Sequence, residues 1–160
     1  MHKTKNDLPR KVREQVSSLL QERLSEAVDL VTHAKQAHWN VKGPSFIALH
    51  ELFDKIYVNS AEHVDLIAER ILQLGGTAEG TARVVAKRSK LPEYPLAIAT
   101  GAQHVEALSR SLATFGEAIR RSIDRADELG DKDTADLFTE ISRVVDKDLW
   151  FVEAHAQAKR

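Results

Sequence analysis

The sequence predicts an all-α protein: a four-helix bundle with one long crossover, which carries a short helix between the second and third long helices. Three observations predict it. Apolar residues recur at three- and four-residue spacing along four segments of about 25–34 residues each. Glycines and prolines are few, 7 and 4, and they gather between those segments. Short links join the first to the second segment and the third to the fourth, whereas the middle link of about twenty residues can run the length of a bundle.

The first helix is expected from about Leu8 to Trp39, with Asp7 as its cap and Pro9 in its first turn, where a missing N–H costs little. Val12, Val16, Leu19, Leu20, Leu24, Ala27, Val28, Val31 and Ala34 form its apolar stripe. Asn40 to Gly43 breaks it, Pro44–Ser45 opens the second helix, and Gly75–Gly76 stops that helix after Leu74. In the crossover, residues 77–95, TARVVAK reads as one short helix. The third long helix is expected over Leu96–Leu129, ending at Gly130, and the fourth over Asp133–Gln157. One long crossover in a four-helix bundle is the ferritin-like arrangement. Residues 1–7 read as a short N-terminal arm, and residues 8–160 as a single ferritin-like domain.

Composition narrows the chemistry. Hydrophobic residues make up 42% of 160, enough for one core, and the net charge is -1. Overall charge therefore argues neither for nor against nucleic acid, and only local patches could. There is no cysteine, which excludes disulfides, thiolate metal sites and thiol catalysis, and suits a reducing cytoplasm. No apolar run approaches a membrane span, and MHKTKNDLPRK lacks the apolar segment of a secretory signal.

The second helix carries the informative pattern. With His50 as zero and about 100° per residue, Asp54 falls near 40°, Asp65 near 60° and Glu69 near 100°, while His63 points away near 220°. The four on one face are interleaved with Phe46, Phe53, Ala61 and Ala68. Sharing a face is not sharing an ion. At about 1.5 Å per residue, His50 lies roughly 22 Å from Asp65 and about 28 Å from Glu69, whereas metal–ligand bonds are near 2 Å. The two halves can meet only if two such helices pack antiparallel about a two-fold axis near Asn59–Ser60, which makes two equivalent sites. His38, at the end of the first helix, would then lie beside His50 of its own subunit. Imidazoles with carboxylates suit Fe(II), Mn(II) or Zn(II), and Asp54 could bridge or serve a second ion. Taken singly, such residues are more often solvated pairs or satisfied hydrogen-bonders than ligands. What favours the joint reading is several ionisable groups at apolar-stripe positions, symmetric about the helix midpoint. No histidine has a glutamate three residues before it, so the Glu-x-x-His sites of intrasubunit di-iron bundles are absent.

The segments KQAHWNVKGPSFIALHELFD, DLIAERILQLGG, LPEYP and DKDLWFVEAH closely resemble the Dps family of mini-ferritins, across residues 20–155. The resemblance implies a hollow dodecamer built from two-fold dimers, oxidising Fe(II) preferentially with hydrogen peroxide and storing ferric mineral. Zinc and manganese are the competing ions. The inter-subunit ferroxidase ligands then fall on His38, His50, Asp54, Asp65 and Glu69. Trp39 matches a tryptophan that quenches oxidising equivalents, with core packing as its other reading, and Lys35 matches a position that supports the site by pairing with an acid. Asp133 and Asp136 match the acidic three-fold pore, though Asp133 also reads as a helix cap and Asp136 as the acid of a capping box. Some members bind DNA through a lysine-rich arm. In this chain Lys3 and Lys5, with Arg10 and Lys11 in the first helical turns, are the corresponding groups, and Lys159–Arg160 add a little. A cytoplasmic location follows, with association to the nucleoid if DNA is bound. The rival expectation is a nucleoid-compacting, DNA-protecting structural protein in which iron chemistry is secondary.

Overall fold

A computed structural model describes residues 1–157; Lys159 and Arg160 lie outside the described residues. The chain forms α1 (Arg10–Asn40), α2 (Phe46–Gln73), α3 (Ala82–Arg88), α4 (Gly101–Glu128) and α5 (Lys132–Gln157). Apart from one isolated backbone bridge, between Lys42 and Thr100, there is no β-structure among the described residues. The expected all-α, ferritin-like four-helix bundle with a short crossover helix is therefore the fold.

Cross-helix contacts fix the directions. Lys35 meets Asp54 while Arg13 reaches the Leu74 carbonyl, so α1 and α2 are antiparallel. Arg23 reaches Ser122 and His33 reaches Ser111, so α1 and α4 are antiparallel as well. Asn59 meets Asp148 and Arg70 meets Asp131, which sets α2 against α5 in the same sense. α2 and α4 are thus parallel, and the chain must travel the bundle's length between them. It does so along α1. Gln21 holds Glu79 through both its amide groups, Asp29 accepts from Ser89 at 2.6 Å, and His33 packs on Tyr94. The Lys42 N–H then donates to the Ala99 carbonyl at 2.9 Å. Phe53, Phe115 and Phe138, with Leu20, Leu24, Leu30, Ile56 and Ile67, fill the core between the four long helices.

Helix ends correct several expectations. Asp7 caps nothing. Pro9 itself stands before α1 in an extended conformation, and its carbonyl takes the first bond from Arg13. Helix α4 begins at Gly101 rather than Leu96, because Thr100 and Gln103 form a reciprocal capping box that starts it there. Before α5 the cap is Asp131, whose carboxylate accepts the Thr134 N–H at 3.0 Å. Asp133 is therefore not a cap, and Asp136 is not the acid of a capping box. Gly75 ends α2 as expected, with φ of 85°. There a Cβ would stand 2.8 Å from the His2 carbonyl oxygen.

Candidate metal centre

The last turn of α1 and the first turns of α2 meet across the short link, and this brings His38 against His50. Each Nδ1 lies 2.8 Å from the other residue's backbone carbonyl, so each N–H donates across the helix pair. The rings stack with centroids 3.7 Å apart. A carbonyl can only accept, so both Nδ1 atoms carry a hydrogen, and Nε2 is the nitrogen of each ring that could ligate a metal. This orientation of a ligating imidazole by its second nitrogen is what metal sites require. Phe46 packs at 5.1 Å on the His50 ring.

Asp54, one turn beyond His50, is paired with Lys35, and its oxygen stands 4.0 Å from His38 Nδ1. The hydrogen bond from Lys35 holds the Asp54 carboxyl below its ordinary pKa. The Lys35 ammonium also sits 4.3 Å over the Tyr57 ring. Sequence reasoning passed over Tyr57, although its wheel angle, about 340° from His50, places it on the same face.

Asp65 and Glu69 lie exposed farther along the same unbroken helix, without an ion pair or hydrogen bond among the described residues. The straight run from Phe46 to Gln73 keeps them roughly 22 and 28 Å along the axis from His50. One chain therefore unites His38, His50, Asp54 and Lys35, and does not bring Asp65 or Glu69 to them. Among the described residues no three His, Asp or Glu side chains gather as a metal cluster. The face is also less apolar than the pattern implied. Phe53 turns fully into the core, whereas Phe46 is exposed. Trp39 is 68% exposed, so core packing does not account for it within this chain.

Beyond Glu69, Arg70 fastens the far end of α2 to the start of α5. Its guanidinium donates to both Asp131 oxygens, at 2.8 and 3.1 Å, and to the Thr134 hydroxyl at 2.9 Å. Asp133 is exposed, 3.9 Å from the same guanidinium, and Asp136 is exposed too. His63 points away from the His50 face, as its angle predicted; that this direction is the core was not expected, and neither ring nitrogen has a partner among the described residues. Burial pushes its pKa down to about 4.

The N-terminal residues lie against the protein. The His2 N–H donates to the Gly75 carbonyl at 2.6 Å, and Arg13 bonds the Leu8 carbonyl. Lys3, Lys5, Arg10 and Lys11 are exposed, with Arg10 paired to Glu14 at 2.8 Å. Among the described residues no helix is long and apolar enough to cross a membrane.

Comparison with known proteins agrees with this fold. Residues 17–160 match the ferritin-like domain model. A DNA protection during starvation protein of Agrobacterium fabrum is 49% identical over 158 residues, covering 99% of this chain and 98% of that protein. Among solved structures, a tetragonal form of Mycobacterium smegmatis Dps superposes with a TM-score of 0.91 at 33% identity, covering 98% and 95% of the two chains. Microbacterium arborescens Dps in its high iron form superposes at 0.88 with 31% identity, covering 97% and 99%. A crossover bundle that matches these relatives over nearly its whole length, and keeps their fold, leaves one assignment: the chain belongs to the Dps family of ferritin-like proteins.

Proposed function

We propose that this protein oxidises Fe(II) with hydrogen peroxide at sites shared between two subunits and stores the ferric product inside a dodecameric shell. The observation that carries the reading is the mutual lock of His38 and His50, which occupies both Nδ1 atoms and leaves the Nε2 atoms as the nitrogens available to a metal. Asp65 and Glu69 of a two-fold neighbour complete the donor set, and Asp54 serves a second ferrous ion once Lys35 yields it. A relative solved in a high iron form supports iron as the cargo. Two Fe(II) held together give two electrons to one peroxide, which with two protons leaves as two waters. A lone Fe(II) would give one electron and release hydroxyl radical. Zinc or manganese would fit the same donors as competitors. Asp133 and Asp136, exposed at the start of α5, supply negative charge for an Fe(II) entry pore once three copies bring them together.

The test compares Fe(II) oxidation by peroxide and by dioxygen in the wild type and in the His50→Ala, Asp65→Ala double variant, with zinc and manganese as added competitors. Fast peroxide-driven oxidation that the variant loses is the expected result; equal rates in both proteins would end the reading.

A second reading rests on the relatives' role in DNA protection. Lys3, Lys5, Arg10 and Lys11 are its candidate phosphate contacts, and twelve copies would add avidity. In this chain His2 is bonded to the Gly75 carbonyl, which holds the N-terminal residues against the protein and favours the iron reading. A gel shift across salt concentrations separates the two: compaction predicts retarded DNA released as salt rises, and a shell that acts only on iron predicts no retardation.

A further inference from the structure

Tyr94 and His104 take no part in the arrangement of metal donors on α1 and α2. Tyr94 belongs to the crossover and His104 to the first turn of α4. Their hydroxyl and Nδ1 lie 2.8 Å apart, and both side chains are buried. Burial holds the phenol pKa well above its ordinary value and the imidazole pKa below its own. The resting pair is therefore neutral: the phenol donates, Nδ1 accepts, and the ring hydrogen sits on Nε2. The carbonyls of Asn40 and Ile98 favour the protonated ring, though neither completes an aligned bond to Nε2. Tyr94 also lines a groove of about 650 Å³ together with Lys35, Trp39 and Tyr57. Lys35 holds Asp54, and Trp39 follows His38, so this groove adjoins the candidate iron ligands.

A phenol that loses an electron in a dry pocket becomes a buried cation unless its proton can leave at once. His104 stands where that proton would go. Resting on the peroxide reading above, we propose that Tyr94 and His104 form a reversible one-electron donor in the wall of the site. When a single Fe(II) reduces peroxide, it yields Fe(III), hydroxide and a hydroxyl radical. The Tyr94 O–H bond breaks, its electron reduces that radical to hydroxide, and its proton passes along the hydrogen bond to Nδ1. A neutral phenoxyl and an imidazolium remain. A later Fe(II) returns the electron, becoming Fe(III), and the proton moves back to the oxygen. Tyr94, only 6% exposed, is shielded and can be restored.

Freeze-quenched electron paramagnetic resonance of the assembled protein, after substoichiometric Fe(II) and excess peroxide, tests the pair. The expected signal is a tyrosyl radical that narrows with ring-deuterated tyrosine, disappears in Tyr94→Phe and persists in Tyr57→Phe. The chain has 2 tyrosines, Tyr57 and Tyr94, so labelling the wild type narrows the choice even if a variant folds poorly. His104→Gln keeps the phenol and should lower the radical yield severalfold. A second arm without iron uses azidyl radicals from pulse radiolysis and should give the same phenoxyl. A radical on Tyr94 in that arm with no iron oxidation in the other would sink the peroxide reading and leave the pair standing. Normal iron oxidation with no tyrosyl signal, or a signal unchanged in Tyr94→Phe, overturns the pair.

Discussion

The two ends of α2 carry similar donors in opposite states. At its start, His50 and Asp54 are oriented by partners: imidazole against imidazole with each Nδ1 on a carbonyl, and carboxylate against Lys35. Near its end, Asp65 and Glu69 stand exposed, while the neighbouring Arg70 anchors the backbone beneath them through Asp131 and Thr134. One end is an organised half-site. The other is a rigid support that presents bare carboxylates. The difference teaches that preorganisation within a chain is confined to the imidazole end; on the reading proposed above, the acidic end waits for donors from a neighbouring subunit.

Breaking the support should have the largest effect. Arg70→Ala would leave Asp131 buried and uncompensated, and denaturant unfolding should show a loss of about 3–5 kcal/mol. If stability is unchanged, the far end of α2 is not held by that ion pair.

His63 lies between the two ends and gives the next effect. Its folded pKa of about 4 lies below its value of about 6.5 in the unfolded chain. Between those values the unfolded chain binds more protons, so stability falls as pH drops through that window, by up to about 3 kcal/mol. His63→Leu should remove this slope and stabilise the protein at neutral pH, by about 1–3 kcal/mol. A slope unchanged in the variant would assign the pH dependence elsewhere.

The donors themselves come next. His50→Ala and Asp65→Ala should each weaken anaerobic Co(II) binding, read by titration calorimetry on the assembled protein, by at least about 10-fold. Equal losses from two residues so far apart on one helix would sharpen the comparison, and an effect at only one end would break it. Lys35→Met should do least. Without its hydrogen bond, the Asp54 carboxyl should titrate closer to its ordinary value in carboxyl NMR. Because the folded pKa is held low, this pair adds stability above the unfolded value of about 3.9 and loses it as pH falls through the folded one.

Much of this was legible in the sequence, for a physical reason. A helix fixes its own rise and rotation, so the shared face of His50, Asp54, Asp65 and Glu69, the separation of its halves and the exclusion of His63 from that face all followed from spacing. That His63 turns into the core did not. Crossover length gave the topology in the same way. Features set by register between distant segments did not follow. Arg70 meets Asp131 across 61 positions, and Tyr94 meets His104 only after the crossover has turned into α4. The late start of α4 was readable in principle, since T-x-x-Q spells a capping box, but the alanine-rich run before it reads as helix. The capping role of Asp131, rather than Asp133, depended on how α5 docks against Arg70.

The most direct test mixes subunits. His50→Ala and Asp65→Ala proteins, each inactive alone, are dissociated, combined in equal amounts and reassembled, and peroxide-driven Fe(II) oxidation is measured. Half of the random two-fold pairs would then be mixed, each with one of its two sites intact, so about a quarter of wild-type activity should return. No recovery in properly reassembled shells would mean that each chain's donors serve only itself, and would contradict a site built from two subunits.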